Sequence, residues 1–256
     1  MADGDGSVVL IVGGGSGIGY ASALRLAGRG CRLVLCGRRE AVLEAASTRI
    51  ATELGTGETP AVVAGDAGQE ADAQRMVAAT LERHGRLDVL VNCAGVYEPV
   101  DFADLTEETW RRTIVPTLDA QVFAAGAAAR QMKDAGGGRI VAVSSVSSPL
   151  SEPLSAHYSA AKAAVSSLVR SIAMDLSPHG VTANAVAPGW IRTEMVDAFV
   201  TGKTPEQLAR INMLRRVGEA DEVANVIEYL ALDAPTYMTG SVVYIDGGQT
   251  AMALLP

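Results

Sequence analysis

Seven short runs along the chain are apolar at most positions: Val8–Val12, Arg32–Cys36, Ala61–Ala64, Leu87–Val91, Arg139–Ser144, Val181–Val186 and Val242–Ile245. Between them lie longer alanine- and leucine-rich stretches of helical spacing, near residues 17–28, 39–54, 69–84, 104–133, 156–176 and 219–232. Strands without polar alternation are buried on both faces, so the pattern predicts a parallel sheet with helices on each side. Right-handed crossovers make such a sheet doubly wound, and ligands then bind beyond the carboxyl ends of its strands. No linker, repeat or low-complexity block divides residues 1–256, which read as one α/β domain. An irregular insertion at about 190–212 interrupts the alternation, at the edge where a lid would sit.

The residues that follow each strand are therefore the candidates for chemistry. After the first strand comes Gly13-Gly14-Gly15-Ser16-Gly17-Ile18-Gly19, opening directly into a helix. Glycines let the backbone approach a ligand closely, and a helix N-terminus offers free N–H groups to a pyrophosphate. Tyr20 stands where a Walker loop would carry lysine, and the glycines fall at 13, 17 and 19 rather than in the common GxGxxG register. The second strand is followed by Gly37-Arg38-Arg39. An acid near this point would hold the 2′-hydroxyl of NAD, whereas arginine accommodates a 2′-phosphate. Arg38 and Arg39 thus predict NADP(H), with NAD(H) as the second choice.

The fifth strand ends in Val143-Ser144-Ser145, and the helix beyond it carries Tyr158 and Lys162. Positions i and i+4 share one helix face. A phenol alone is too weakly acidic for work at neutral pH, and a nearby ammonium favours the phenolate. Ser145 adds a hydroxyl able to polarise a carbonyl where negative charge develops.

With Gly13, Gly17, Gly19, Asn92-Cys93-Ala94-Gly95, Ser145, Tyr158, Lys162, Pro188-Gly189-Trp190-Ile191-Arg192-Thr193 and Asp246-Gly247-Gly248, the chain resembles the short-chain dehydrogenase/reductase family over nearly its whole length. The resemblance implies a single Rossmann-type doubly wound domain with a seven-stranded, mainly parallel sheet. It implies an oxidoreductase that interconverts an alcohol and a ketone or aldehyde, with Tyr158 as general acid or base and Ser145 placing the carbonyl. Lys162 would lower the tyrosine pKa and hold the nicotinamide ribose. Gly13, Gly15, Ser16, Gly17, Ile18 and Gly19 would cradle the pyrophosphate, and Asp66 and Ala67 would meet the adenine. Asn92, Ala94, Gly95, Pro188 and Gly189 would line the cofactor cleft, with Ile191 and Thr193 on the nicotinamide amide. A homotetramer or homodimer, built on the helix before strand five and the Tyr158 helix, is also implied.

Two positions depart from the family pattern. Cys93 replaces a second asparagine after strand four. Thr117 stands 28 residues before Ser145, where the family carries an asparagine that supports a water linking the lysine to solvent. A threonine there predicts a slower or rerouted proton relay. Its presence is also the sole support for a low-turnover, cofactor-sensing protein; a non-redox enzyme using the same serine and tyrosine is a further alternative.

The remaining features narrow the partners. A net charge of −8 disfavours a nucleic-acid backbone as partner. The N-terminus has no basic segment ahead of an apolar stretch, no run is long enough to span a bilayer, and the three cysteines lack CxxC spacing. These point to a cytoplasmic protein with no membrane, disulfide or metal role. His84 and His179 precede glycines and read as helix ends, while Cys36 and Cys93 read as packing. His157 reads as a neighbour of Tyr158 pointing elsewhere. Met195, Phe199, Leu150, Leu154, Val96 and Tyr97 suggest an uncharged or partly apolar substrate; Arg192 and Lys203 could equally hold a carboxylate. Trp190 either walls the substrate pocket or anchors its loop. Ala120, Ala124, Ala125, Ala127, Ala128 and Ala129 give one helix a small-residue face, suited to the sheet or to a second subunit.

Overall fold

The computed structural model describes residues 6–55, 57–208 and 210–252. Seven strands form one sheet: β1 (Val8–Val12), β2 (Arg32–Gly37), β3 (Ala61–Ala64), β4 (Val89–Asn92), β5 (Gly138–Val143), β6 (Val181–Pro188) and β9 (Val242–Ile245). Their order is β3-β2-β1-β4-β5-β6-β9, and every neighbouring pair is parallel. Strand β1 is entirely buried, as its unbroken apolar run requires. Strand order reverses between β1 and β4, so the crevice for a ligand opens where their ends, Val12 and Asn92, lie side by side. Just before β4, the Asp88 carboxylate accepts from the Val8 N–H at 2.8 Å and the Asp88 N–H donates to the Val8 carbonyl at 3.0 Å.

Helices cover both faces. Helices α1 (Gly17–Gly28), α2 (Glu40–Leu54) and α9 (Ala220–Glu228) bury Leu26, Leu43 and Ile227 against one side. On the other, α3 (Glu70–His84), α5 (Ala120–Ala135) and α6 (Ala156–Leu176) bury Met76, Ala128 and Val165. Gly85 and Gly180 follow His84 and His179 in the left-handed conformation, closing those helices as their sequence suggests. Ala120, Ala124, Ala125, Ala127 and Ala128 are all buried within the chain, so the small-residue face of α5 packs under the sheet. No helix among the described residues is long and apolar enough to cross a membrane.

Two stretches differ from the sequence expectation. The helix expected over 104–133 is α4 (Glu107–Ile114), a wide π-type turn over Val115–Asp119, and then α5. Pro116 has no N–H for the regular ladder, and the chain widens there. The insertion is not irregular: it contains α7 (Glu194–Val200) and α8 (Pro205–Leu208), and its base is closed where β7 (Ile191–Arg192) pairs with β8 (Gly218–Glu219).

Candidate active site

The glycine loop is held at the end of β1 by Gly13 and Gly14 N–H groups, both donating to the Cys36 carbonyl at 2.8 and 3.3 Å. Its turn is so tight that a Cβ on Gly19 would sit 2.1 Å from the Gly13 carbonyl oxygen. No larger residue fits. Ser16 precedes α1 without spending its side chain on a cap, which leaves the first N–H groups of that helix free for an anion. Gly13, Gly15, Ser16, Gly17, Ile18 and Gly19 all border one cleft of about 540 Å³. Arg38 and Arg39 border it from the end of β2, and both are exposed. Arg39 reaches Glu194 on α7 at 3.9 Å, whereas Arg38 has no ion-pair partner among the described residues. Asp66 and Ala67 line the same cleft beyond β3, as do Ala94 and Gly95 beyond β4. This cradle fits the pyrophosphate of a nicotinamide dinucleotide.

At the other end of the cleft stand Ser145, Tyr158 and Lys162. Ser144 makes this convergence rigid: its hydroxyl meets the Lys162 carbonyl at 3.0 Å and the Ser166 hydroxyl at 2.7 Å, pinning β5 to α6. The Lys162 ammonium donates to the Val143 carbonyl at 2.8 Å and lies 5.6 Å from the Tyr158 ring centre. Ser145 Oγ accepts from the Ser147 N–H at 3.0 Å.

The acid–base balance reverses one sequence expectation. Burial pushes the Tyr158 phenol up to about 12, while its hydrogen bond with Ser145 acts in the lowering direction. Lys162 is not among the groups that set this value; its own pKa is pulled down to about 8, chiefly by burial. In this arrangement the phenol is held neutral, and the lysine is poised near physiological pH.

Thr117 and Asn92 lie behind the cleft rather than on its wall. Thr117 is fully buried in the wide turn, and its hydroxyl accepts from the Val96 N–H at 3.2 Å. A Cβ built on Gly95 would lie 3.3 Å from Lys162 Nζ and 3.7 Å from Thr117 Oγ1, so the missing side chain leaves space that both polar groups border. We expect Thr117→Asn, whose longer side chain reaches further into that space, to change kcat severalfold (~3–10-fold, below a full general acid–base effect) and to move the pH profile. Steady-state rates across pH check this, and identical profiles would remove Thr117 from the relay. Asn92 joins β4 to α5 instead: its amide donates to the Ala120 carbonyl at 2.9 Å and its Oδ1 accepts from the Ala94 N–H at 3.1 Å. It shapes the loop rather than facing a ligand.

Pro188, Gly189, Ile191 and Thr193 complete the wall beyond β6. Above them, α7 carries Phe199 to within 5.5 Å of the Tyr97 ring, and Tyr97 stands edge-on to Tyr158 at 5.2 Å. Trp190 meets Phe199 at 6.3 Å and so belongs to this aromatic group. Arg192 is paired with Glu219 at 3.1 Å, and neither it nor Lys203 borders the cleft. His157 is fully buried, with no partner for either ring nitrogen among the described residues. Cys36 and Cys93 have thiols raised well above their usual range by burial, as packing residues should.

Residues at or beside the cleft carry functions that no motif marks. Val42 and Leu43 on α2 back the loop, lying 3.1 and 3.3 Å from a Cβ built on Gly15. Their signal was the apolar pair in the first turn of the helix after the arginines. Glu152 lines a separate pocket, yet it raises the pKa of both Tyr97 and Tyr158 through space. No motif marks it.

Comparison with known proteins agrees with this geometry. A family model described as enoyl-(acyl carrier protein) reductase matches residues 13–250. L-rhamnose 1-dehydrogenase (NAD(P)(+)) of Azotobacter vinelandii is 36% identical across 94% of this chain and 95% of its own. Glucose 1-dehydrogenase of Gluconobacter oxydans is 35% identical across 96% and 92%. The structure of a short-chain type dehydrogenase/reductase from Mycobacterium ulcerans superposes with a TM-score of 0.92 at 32% identity, covering 96% of this chain and 90% of that one. Matches of this extent bring together what the glycine loop and the Ser145–Tyr158–Lys162 group imply separately: the chain is an oxidoreductase of the short-chain dehydrogenase/reductase family, whose members use nicotinamide cofactors.

Proposed function

We propose that the whole chain acts as one unit, an NADP(H)-preferring alcohol dehydrogenase or carbonyl reductase with Tyr158 as its general acid and base. One observation carries this reading: the serine, tyrosine and lysine converge at one end of the cleft whose other end holds the glycine loop and the Arg38–Arg39 pair. The bound nicotinamide supplies or accepts the hydride. In reduction, Ser145 donates a hydrogen bond to the substrate carbonyl oxygen, and Tyr158 delivers its phenolic proton to that oxygen as negative charge develops there. In oxidation the phenolate takes the proton from the substrate hydroxyl, and the carbon gives up its hydrogen with both electrons. Lys162 and Thr117 return the tyrosine proton toward solvent. Two relatives are named as sugar 1-dehydrogenases, which supports chemistry at a C–OH carbon.

The cofactor preference rests on the missing acid after β2 and on the exposed guanidinium of Arg38. A charge-assisted hydrogen bond to phosphate is worth about 1.5–3 kcal/mol, or roughly 10–150-fold. Arg38→Ala together with Arg39→Ala is expected to lower kcat/KM for NADPH by that factor and to leave NADH within about threefold. Initial rates with both cofactors against a ketone and aldehyde panel check it. Preference for NADH, unaltered by Arg38→Ala, would overturn the NADP(H) reading. We place the protein in the cytoplasm as a homotetramer or homodimer. A low-turnover sensing role draws on Thr117 alone, and the intact serine, tyrosine and lysine speak against it.

A further inference from the structure

Just outside the lining of the cleft, next to Gly189, the protein holds more hydrogen-bond acceptors than it satisfies among the described residues. Glu152 lies on the loop between β5 and α6, and Gln249 arrives from the segment after β9. The Gln249 amide N–H donates to Glu152 Oε1 at 3.3 Å. Only the NH₂ side of an amide can donate to a carboxylate, so this contact sets the amide's orientation. Its Oε1 is left buried without a partner among the described residues. A Cβ built on Gly189, which borders the cleft, would lie 3.2 Å from that oxygen. Thus one amide oxygen and the carboxylate lone pairs beyond the Gln249 contact stand at the edge of the site.

One donor stands on the cleft wall itself. Tyr97 borders the cleft, its ring 5.2 Å from that of Tyr158, and its hydroxyl has no protein hydrogen-bond partner among the described residues. Glu152 is near enough to raise the pKa of both phenols. An apolar ketone that covered these half-buried groups would leave them unpaired, and a polar group buried without a partner costs about 1–3 kcal/mol. An ammonium could donate to the amide and carboxylate but could not accept from Tyr97. A hydroxyl can do both.

Building on the dehydrogenase reading above, we infer that Glu152, Gln249 and Tyr97 form a polar recognition subsite, which selects a neutral substrate bearing a second hydroxyl beside the reacting carbon. This narrows the substrate class from the uncharged or partly apolar compounds suggested by the sequence to polyhydroxylated ones. Phe199 and Tyr97 then provide an aromatic wall for the carbon skeleton, and the acceptors take the hydroxyls.

The test compares cyclohexane-1,2-diol, cyclohexanol and 2-aminocyclohexanol as substrates with NADP⁺ in the full-length enzyme. The diol is expected to exceed cyclohexanol in kcat/KM by about tenfold or more, as sites built to bond a hydroxyl reject analogues lacking it. In the near-isosteric Glu152→Gln, and separately in Gln249→Leu, that ratio is expected to fall to about threefold or less, mainly through KM. Calorimetric titration of diol and cyclohexanol into the enzyme–NADPH complex, which cannot oxidise an alcohol, reads the same selectivity without turnover. Equal use and equal binding of the two alcohols would overturn the inference, as would a diol preference that survives Glu152→Gln. Preference for the amino alcohol would overturn the neutral-hydroxyl assignment. Failure to bind NADPH, or turnover that survives Tyr158→Phe, would sink the dehydrogenase reading itself, an outcome separable from loss of diol selectivity.

Discussion

Tyr158→Phe is expected to cut kcat by about 10³-fold, within the usual range for a positioned general acid or base, while NADPH still binds. Phenylalanine keeps the ring that meets Tyr97 edge-on and lies beneath the Lys162 ammonium, so the cleft keeps its shape. The loss is confined to the one proton. A fluorescence titration of NADPH beside steady-state rates separates the two effects, and a variant retaining more than about a tenth of wild-type kcat would remove Tyr158 from its role. The direction of the reaction also fixes the sign of its pH dependence. With the phenol raised to about 12, reduction finds its proton in place at neutral pH and slows as the solution becomes alkaline. Oxidation needs the phenolate and therefore accelerates with rising pH. Lys162, held near 8, remains largely protonated at pH 7 and loses its charge within that same alkaline climb.

Gly19→Ala is the second large effect. The added methyl carbon would lie 2.1 Å from the Gly13 carbonyl oxygen and 2.8 Å from its carbon, backbone atoms that cannot swing away as a side chain would. Relief requires the glycine loop to open, which moves the first N–H groups of α1 away from the pyrophosphate position. Two charge-assisted hydrogen bonds lost at about 1.5–3 kcal/mol each weaken binding by about 100-fold or more. Because the pyrophosphate is common to both cofactors, NADPH and NADH should suffer equally, unlike in the arginine variants. The overpacked loop also costs about 1–3 kcal/mol of stability, visible as a lower Tm. Binding within threefold of wild type for either cofactor would show that the loop is no cradle.

What the sequence discloses follows the range of the forces involved. Seven apolar runs report burial on both faces, a local property, and all seven form the sheet in the places expected. Tyr158 and Lys162 are legible because four residues on a helix guarantee a shared face. The glycine loop is legible because its constraint is written in consecutive residues. Interactions between distant segments are not. Glu152 and Gln249 meet across 97 positions, and neither sits in a recognisable pattern. The elevated Tyr158 pKa is similarly hidden: proximity to lysine in sequence suggested a depressed phenol, whereas the direction of the ammonium, toward the Val143 carbonyl, depends on how β5 lies beside α6. Pro116 did signal a break in the long helix, but the periodicity on either side concealed it. Helical character in 194–208 was masked in the same way by polar residues at an exposed rim.

The wide turn over Val115–Asp119 has a consequence for anyone recombining this protein with its relatives. Each residue of a helix turns the chain by about 100°, so a widened turn alters the angular phase of everything after it. Upstream, Glu107, Arg111 and Arg112 are exposed; downstream, the alanines of α5 face the sheet. A graft that carried α5 but ended inside Val115–Asp119 would rotate that alanine stripe away from β4 and β5, whereas a crossover placed before Glu107 would carry the angular correction with it.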